Sequence, residues 1–99
     1  MASVGFHDPV EELSDEVRDM HRALVSLMEE LEAIDWYNQR AHACKDATLR
    51  KILQHNRDEE MEHAAMVLEW IRRRDERFSL QLKEYLFTSR SLDDDGHEH

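Results

Sequence analysis

Two long stretches of this 99-residue chain repeat apolar side chains every three or four residues, and only residues 44–46 separate them. That spacing gathers apolar side chains on one side of an α-helix, whereas a strand would alternate with a period of two. The 2 glycines and 1 proline supply little turn chemistry to punctuate a sheet. The sequence therefore predicts an all-α protein built around an antiparallel two-helix hairpin, because a short loop favours antiparallel neighbours.

Capping residues give the expected ends of the two long helices. Helix 1 starts either at Asp8-Pro9 or at Ser14, two equally good N-terminal signals, and ends near Ala43. Helix 2 is expected over residues 47–74, with Asp46 as its N-cap. At a rise of about 1.5 Å per residue, helix 1 would be about 45 Å long. That length is typical of a bundle shared between subunits.

A third, shorter helix is predicted after the hairpin, from Asp75 to about Phe87. The charged residues that follow it show no helical pattern and predict disorder. We thus expect a flexible arm over residues 1–7, a helical domain over residues 8–90 and a disordered acidic tail over residues 91–99.

Three polar side chains interrupt the apolar stripes of the hairpin: Glu30 on helix 1, and Glu60 and His63 on helix 2. Their spacing of three residues points Glu60 and His63 at one place. Burying a carboxylate without a counter-charge is costly, so the three groups call for a cation. The apolar or mixed residues around them are Ala23, Leu27, Ile34, Tyr37 and Ala41 on helix 1, and Leu49, Leu53, Asn56, Val67 and Trp70 on helix 2.

These three residues are half of the ligand set of a di-metal carboxylate bundle, which needs two of each, and the chain has no second copy. Two chains meeting on a two-fold axis would complete it, with Glu30 bridging two metals and Glu60 and His63 holding one each. Oxygen-rich ligation with one imidazole per metal suits iron or manganese better than structural zinc. The natural chemistry is oxidation of Fe²⁺. Glu59, four residues before His63, is a competing ligand, but it falls off the apolar stripe.

A second set of side chains occupies another face of helix 1, where Glu29, Glu32 and Trp36 are spaced by three and four residues. On the pattern alone we interpret them as a solvated acidic face with one exposed aromatic ring. The alternative is a weak cation site that collects Fe²⁺ outside the catalytic centre. Tyr37 is predicted to be a core residue whose hydroxyl can hydrogen-bond to a metal ligand.

Composition and charge exclude several classes of function. The formal net charge of −10 argues against nucleic-acid binding, which depends on cationic neutralisation of phosphates. Cys44 has no second cysteine for a disulfide, and the N-terminus lacks a secretory signal pattern. No apolar run approaches the roughly 20 residues that span a bilayer. We therefore expect a soluble, cytoplasmic protein.

Two segments closely resemble the encapsulated ferritins: MHRALVSLMEELEAIDWYNQR, from Met20 to Arg40, and HNRDEEMEHAAMVLEWIRRR, from His55 to Arg74. The YLFT segment, residues 85–88, is similar to the end of that family's third helix. The resemblance covers most of residues 8–90 and is far more specific than an isolated Glu-x-x-His.

The resemblance implies a half-ferritin whose four-helix bundle and di-iron centre form only where two subunits meet, with two Fe per dimer interface. It implies assembly as an annular decamer of five dimers, and ferroxidase activity that oxidises Fe²⁺ with O₂. Glu30 falls on the bridging ligand, and Glu60 and His63 on the terminal ligands. Glu29, Glu32 and Trp36 match a metal-access site, which reverses the preference stated above for a solvated face.

The resemblance also implies that the ferric product is stored inside an encapsulin shell that holds the protein as cargo. Family members usually end in an extension with a short apolar docking peptide, and the segment SLDDDGHEH contains none. Either the chain continues further or it associates with the shell differently. Two other functions stay open on the residues alone: a non-catalytic helical oligomer or adaptor, and another di-metal enzyme such as a peroxidase.

Overall fold

The computed structural model describes residues 5–93, and every regular element in that range is helical. A 3₁₀ turn, Val10–Glu12, precedes three helices: α1 (Asp15–Ala43), α2 (Ala47–Arg74) and α3 (Glu76–Tyr85). The predicted all-α fold is confirmed. None of the helices in this range has the length and hydropathy that crossing a membrane would require.

Side-chain caps explain where each helix begins. The Ser14 hydroxyl accepts a hydrogen bond from the backbone N–H of Val17 (3.2 Å), and Asp46 accepts one from Leu49 (2.8 Å). Of the two predicted starts of helix 1, Ser14 is the correct one. Asp8-Pro9 instead leads into the 3₁₀ turn, which ends because the backbone of Leu13 is extended.

The third helix is two residues shorter than predicted. Asp75 caps it by accepting a hydrogen bond from the N–H of Phe78 (2.9 Å), but the helix ends at Tyr85. Leu86 is already extended, and Phe87 has a positive φ of 57°. Residues 1–4 of the predicted arm and 94–99 of the predicted tail lie outside the described residues, so the flexibility and disorder proposed for them stay predictions.

The hairpin is antiparallel, and its own core is small. Arg57 of α2 donates a hydrogen bond to the side-chain oxygen of Asn38 of α1 (3.1 Å), near the loop that joins the two helices. Among the described residues, the fully buried apolar side chains are Ala41, Ala64 and Ile71. Large apolar side chains stay exposed on both helices, including Leu24 (39%), Leu31 (53%), Ile52 (52%), Met61 (47%) and Met66 (64%). A single chain therefore leaves much apolar surface of both helices uncovered.

A charged network joins α2 to α3. Both Glu69 oxygens accept hydrogen bonds from Arg72 (2.6 and 2.7 Å), and one also accepts from Arg73 (2.7 Å). Arg72 also donates to the buried Ser79 hydroxyl of α3 (3.2 Å). The hydrogen bonds from the two arginines lower the pKa of Glu69 from 4.5 to about 2. Arg72 therefore fixes the junction between α2 and α3, and the basic residues in the last turn of α2 (Arg72, Arg73 and Arg74) also complement the helix dipole.

Substitution of Glu69 by glutamine is expected to weaken the pH dependence of stability on the acid side. Because the folded-state pKa of Glu69 is depressed, its stabilising effect is present above the usual carboxylate pKa and is lost as pH falls towards about 2. The effect should be small, since the network is partly exposed and screened by solvent. Thermal melting across acid pH should show a smaller loss of stability for Glu69→Gln than for the unsubstituted chain. Exposed Glu11→Gln is the matched control, and identical curves for all three proteins would contradict the expectation.

Candidate metal centre

The hairpin brings together the three polar residues that interrupt its stripes. Helix α1 supplies Glu30, and α2 supplies Glu60 and His63 one turn apart. His63 Nδ1 lies 3.8 Å from Glu60 Oε1, and the charges of both groups act on the Glu30 carboxylate. The sequence spacing alone placed Glu60 beside His63, and the antiparallel packing adds Glu30 to them.

One oxygen of the half-buried Glu30 carboxylate lacks a compensating partner. Its Oε2 atom is buried and has no hydrogen-bond partner among the described residues. Burial is the largest cause that raises the pKa of Glu30, and the charges of Glu60 and Glu29 raise it further, while His63 partly opposes them. A carboxylate oxygen in this state favours holding a proton or accepting a cation. The donor set of two carboxylates and one imidazole fits Fe²⁺.

The other two groups, Glu60 and His63, are partly exposed at the surface of the chain. The His63 side chain is 51% exposed and the Glu60 side chain 27% exposed, so each has atoms accessible from outside the chain. In the part of the chain that the structure describes, no three His, Cys, Asp or Glu side chains form a finished metal cluster. One copy therefore presents a partial ligand set with an open side.

The competing ligand Glu59 is engaged elsewhere. Its Oε1 atom lies 2.8 Å from His55 Nε2, one turn earlier on α2, and both side chains are more than half exposed. Glu60 is the carboxylate that approaches His63 and influences the pKa of Glu30. This arrangement supports the choice of Glu60 over Glu59 that the stripe pattern favoured.

An arginine links the two aromatic residues of α1, a contact that the sequence reasoning missed. The Arg40 guanidinium lies 5.4 Å from the ring centre of Tyr37 and 5.9 Å from that of Trp36. The spacings of three and four residues place all three on neighbouring parts of the helix surface, which could have indicated the cation–π contacts. Tyr37 is half-buried, whereas Trp36 is 47% exposed.

The second predicted set, the possible cation-collecting residues, lies on a more exposed side of α1. Glu29 and Trp36 are exposed, and Glu32 is half-buried between them. Glu29 is near enough to Glu30 for its charge to raise the pKa of that group. This set therefore adds negative charge beside Glu30.

Comparison with known proteins identifies the family. Residues 5–89 match the model of a family described as EncFtn-like. This chain belongs to the EncFtn-like family. It is 58% identical over 82 residues to the Encapsulated ferritin-like protein of Rhodospirillum rubrum, with 83% of this chain and 59% of the relative covered. It thus spans less than two thirds of that relative's length.

Two further comparisons agree with this assignment of the chain. The Ferritin-like protein of Thermotoga maritima is 56% identical over 87 residues, which cover 88% of this chain and 76% of the relative. A crystal structure of a protein from Nitrosomonas europaea superposes with a TM-score of 0.87 at 63% identity, covering 91% of this chain and 99% of the other. The chain therefore has a ferritin-like helical fold, and its EncFtn-like membership is consistent with an iron-related function.

Proposed function

We propose that this protein is a ferroxidase, which oxidises Fe²⁺ to Fe³⁺ with O₂ at a centre formed between two copies of the chain. The observation that carries the proposal is the buried Oε2 atom of Glu30, unpartnered among the described residues and grouped with Glu60 and His63. Placing uncompensated negative charge between two helices destabilises the isolated chain. A bound divalent cation removes that cost, so the arrangement favours iron binding.

The second copy is needed because one chain supplies too few ligands. In a two-fold dimer the set becomes two Glu30, two Glu60 and two His63, which is enough for two iron ions. We assign Glu30 as the bridging ligand, and Glu60 and His63 as the terminal ligands of each chain. The partial exposure of Glu60 and His63 is consistent with a site completed from outside the chain.

The side chains around the centre have secondary roles in this proposal. Tyr37 orients a ligand through its hydroxyl, and the Arg40 guanidinium over its ring helps to hold it in place. Glu29, Glu32 and Trp36 form the access site that collects Fe²⁺ from solution, since carboxylates are the hard oxygen ligands that divalent iron accepts. The chain's net charge of −10 raises the local concentration of cations around both sites.

Iron is the substrate of the reaction. Each Fe²⁺ gives up one electron, so two ions together reduce one O₂ to the oxidation level of peroxide, which takes up two protons from water, while two Fe³⁺ form. The carboxylates favour the ferric product because hard oxygen ligands stabilise the higher charge. Fe³⁺ then leaves for mineral growth.

The relatives' names bear on partners and location. One relative is named an encapsulated ferritin-like protein. We extend this to the present chain as a proposal: it assembles from dimers into an annular decamer and stores iron as cargo of an encapsulin shell in the cytoplasm.

Oxygen-dependent iron oxidation by the purified protein tests the function. Fe²⁺ is added anaerobically to metal-free protein, the mass is measured by chromatography with light scattering, the iron content of the eluted protein is measured by elemental analysis, and O₂ is then admitted. We expect iron at the dimer interface, faster Fe³⁺ formation than in buffer and matching O₂ consumption. A stable oligomer without stoichiometric iron would favour the adaptor, and faster oxidation by H₂O₂ than by O₂ would favour a peroxidase.

A further inference from the structure

A polar pocket of about 360 Å³ lies between α1 and α2, near the loop that joins them. It is lined by Asn38, Ala41 and His42 of α1 and by Arg50, Gln54 and Arg57 of α2. We call it the basic pocket, because these described residues include two arginines and no carboxylate. The chain as a whole carries a net charge of −10, so two arginines gathered in one cavity stand against the general balance. The volume lies within the range of about 300 to 1,000 Å³ that small-molecule sites occupy.

The basic pocket is separate from the candidate metal centre. Each of its α2 residues comes one position after a member of the stripe that carries Glu60 and His63. One residue turns a helix by about 100°, so these side chains leave α2 on a neighbouring side. On α1, Asn38 and His42 likewise each follow a member of the Glu30 stripe. The proposed iron ligands therefore do not account for the two arginines.

The hydrogen bonds of Arg50 hold its guanidinium in place without neutralising it. Its Nε and Nη2 atoms both donate to the backbone carbonyl oxygen of Cys44, with the Nε contact at 2.9 Å. A carbonyl oxygen carries no net charge, so Arg50 keeps its positive charge, and the N–H groups of Nη1 are left for another acceptor. A guanidinium anchored in this way loses less side-chain entropy when it binds an anion.

Arg57 is the less exposed of the two arginines, and it sets the direction of the Asn38 amide. Its Nη1 atom donates to Asn38 Oδ1 (3.1 Å), which leaves the amide NH₂ group of Asn38 as a donor. Asp58 Oδ1 lies 3.1 Å from both Nε and Nη2 of Arg57, but the Asp58 side chain is 63% exposed and water screens the pair. Two arginines and one aspartate still leave one net positive charge.

We infer that the basic pocket binds a phosphate group, either as inorganic phosphate or as part of a small phosphate monoester. The planar fork of a guanidinium matches the oxygen atoms of phosphate, and the hydrogen bonds are strengthened by charge. The Asn38 and Gln54 amides and the His42 imidazole line the same cavity and supply further N–H donors. The pocket thus offers donors and positive charge to a ligand that has only acceptors and negative charge.

The position of the basic pocket gives a bound phosphate a use, and this use rests on the proposed ferroxidase function. Arg57, at one end of the pocket, precedes Glu60 by about one turn of α2. Ferric ions favour hard oxygen ligands, which phosphate supplies. The pocket then presents phosphate close to the place where the ferric product forms. Binding of phosphate itself needs no iron, so it can be tested apart from oxidation.

Calorimetric titration of the metal-free protein with inorganic phosphate, in a low-salt buffer, tests the binding. We expect saturation at one phosphate per chain. Arg50→Gln should raise the Kd about tenfold or more, because it removes a charged hydrogen-bond donor. Lys51→Gln removes the same charge from the adjacent exposed position, outside the pocket, and should change the Kd by less than about threefold. Titration without saturation, or equal weakening by the two substitutions, would overturn the inference.

Asn38→Asp separates loss of binding from loss of folding. The aspartate can still accept the hydrogen bond from Arg57, so circular dichroism should show unchanged helix content. The pocket loses an N–H donor and gains a negative charge, so phosphate binding should disappear while the rate of Fe²⁺ oxidation in phosphate-free buffer stays unchanged. Phosphate affinity equal to that of the unsubstituted chain would contradict the proposal. Titration with phenyl phosphate distinguishes the two sources: tighter binding than that of inorganic phosphate assigns an organic phosphate, and weaker binding assigns the free ion.

Discussion

Replacement of Glu30 by glutamine is expected to slow Fe²⁺ oxidation by at least about 100-fold, because loss of a direct ligand should cost no less than loss of a residue that supports one. Glutamine keeps the size of the side chain but lacks the negative charge that balances two iron cations at a bridging position. The initial rate of Fe³⁺ absorbance after O₂ is admitted measures the effect. Circular dichroism should show unchanged helix content.

The matched control is Glu62→Gln, which removes an exposed carboxylate next to His63 on α2. Its initial rate should stay within about threefold of the unsubstituted protein, since exposed charges contribute little at a distance in water. If Glu30→Gln oxidised iron at the rate of this control, Glu30 would not be a ligand.

Glu30→Gln should also stabilise the metal-free protein at neutral pH. Because burial raises the pKa of Glu30 in the folded state, the folded chain holds its proton more tightly than the unfolded chain, and stability falls as pH rises above the usual carboxylate range. Glutamine has no proton to lose there. Metal-free Glu30→Gln should therefore melt at a higher temperature than the unsubstituted chain, with the difference vanishing at acid pH. A lower melting temperature would contradict an uncompensated carboxylate.

A charge introduced far from any proposed ligand is expected to slow the reaction strongly at low protein concentration. Ile52 is 52% exposed and lies about three turns before His63 on the same side of α2. In a chain that worked alone, Ile52→Lys would be nearly neutral. If two copies meet on this face, the buried lysine should weaken dimerisation by about 3 kcal/mol, or about 100-fold in dissociation constant.

Sedimentation at several protein concentrations and the oxidation rate per chain test the two effects together. Both dimerisation and oxidation by Ile52→Lys should recover as protein concentration rises. Lys51→Ala, at the adjacent exposed position, should leave both unchanged. Full activity of monomeric Ile52→Lys would show that one chain holds a complete site.

Local signals made the helices predictable. Asp46 and Asp75 mark helix starts because their carboxylates satisfy backbone N–H groups within their own turn, a contact that depends on adjacent sequence alone. The choice between Asp8-Pro9 and Ser14 was not decided by local chemistry, since both are good caps. The end of α3 was also missed, because the extended backbone at Leu86 leaves no mark in the side-chain pattern.

The candidate site was predictable to the extent that it interrupts a periodic stripe. Glu30, Glu60 and His63 stand out because polar groups on an apolar helix face are costly to bury without a partner. The burial of a single Glu30 oxygen could not be predicted, since it depends on how closely α1 approaches α2. Contacts between helices such as that of Arg57 with Asn38, and the junction of Glu69 with Arg72 and Ser79, likewise depend on packing.

The small core of Ala41, Ala64 and Ile71 has a consequence for the fate of newly made chains. We expect a hairpin that buries so little of itself to have a narrow margin of stability over its unfolded ensemble, and in the dimer that we propose, binding to a second copy would draw that equilibrium towards the native form. Proteases remove the unfolded fraction, so solitary molecules are the ones degraded. We therefore expect the steady-state abundance of the protein to rise faster than its rate of synthesis.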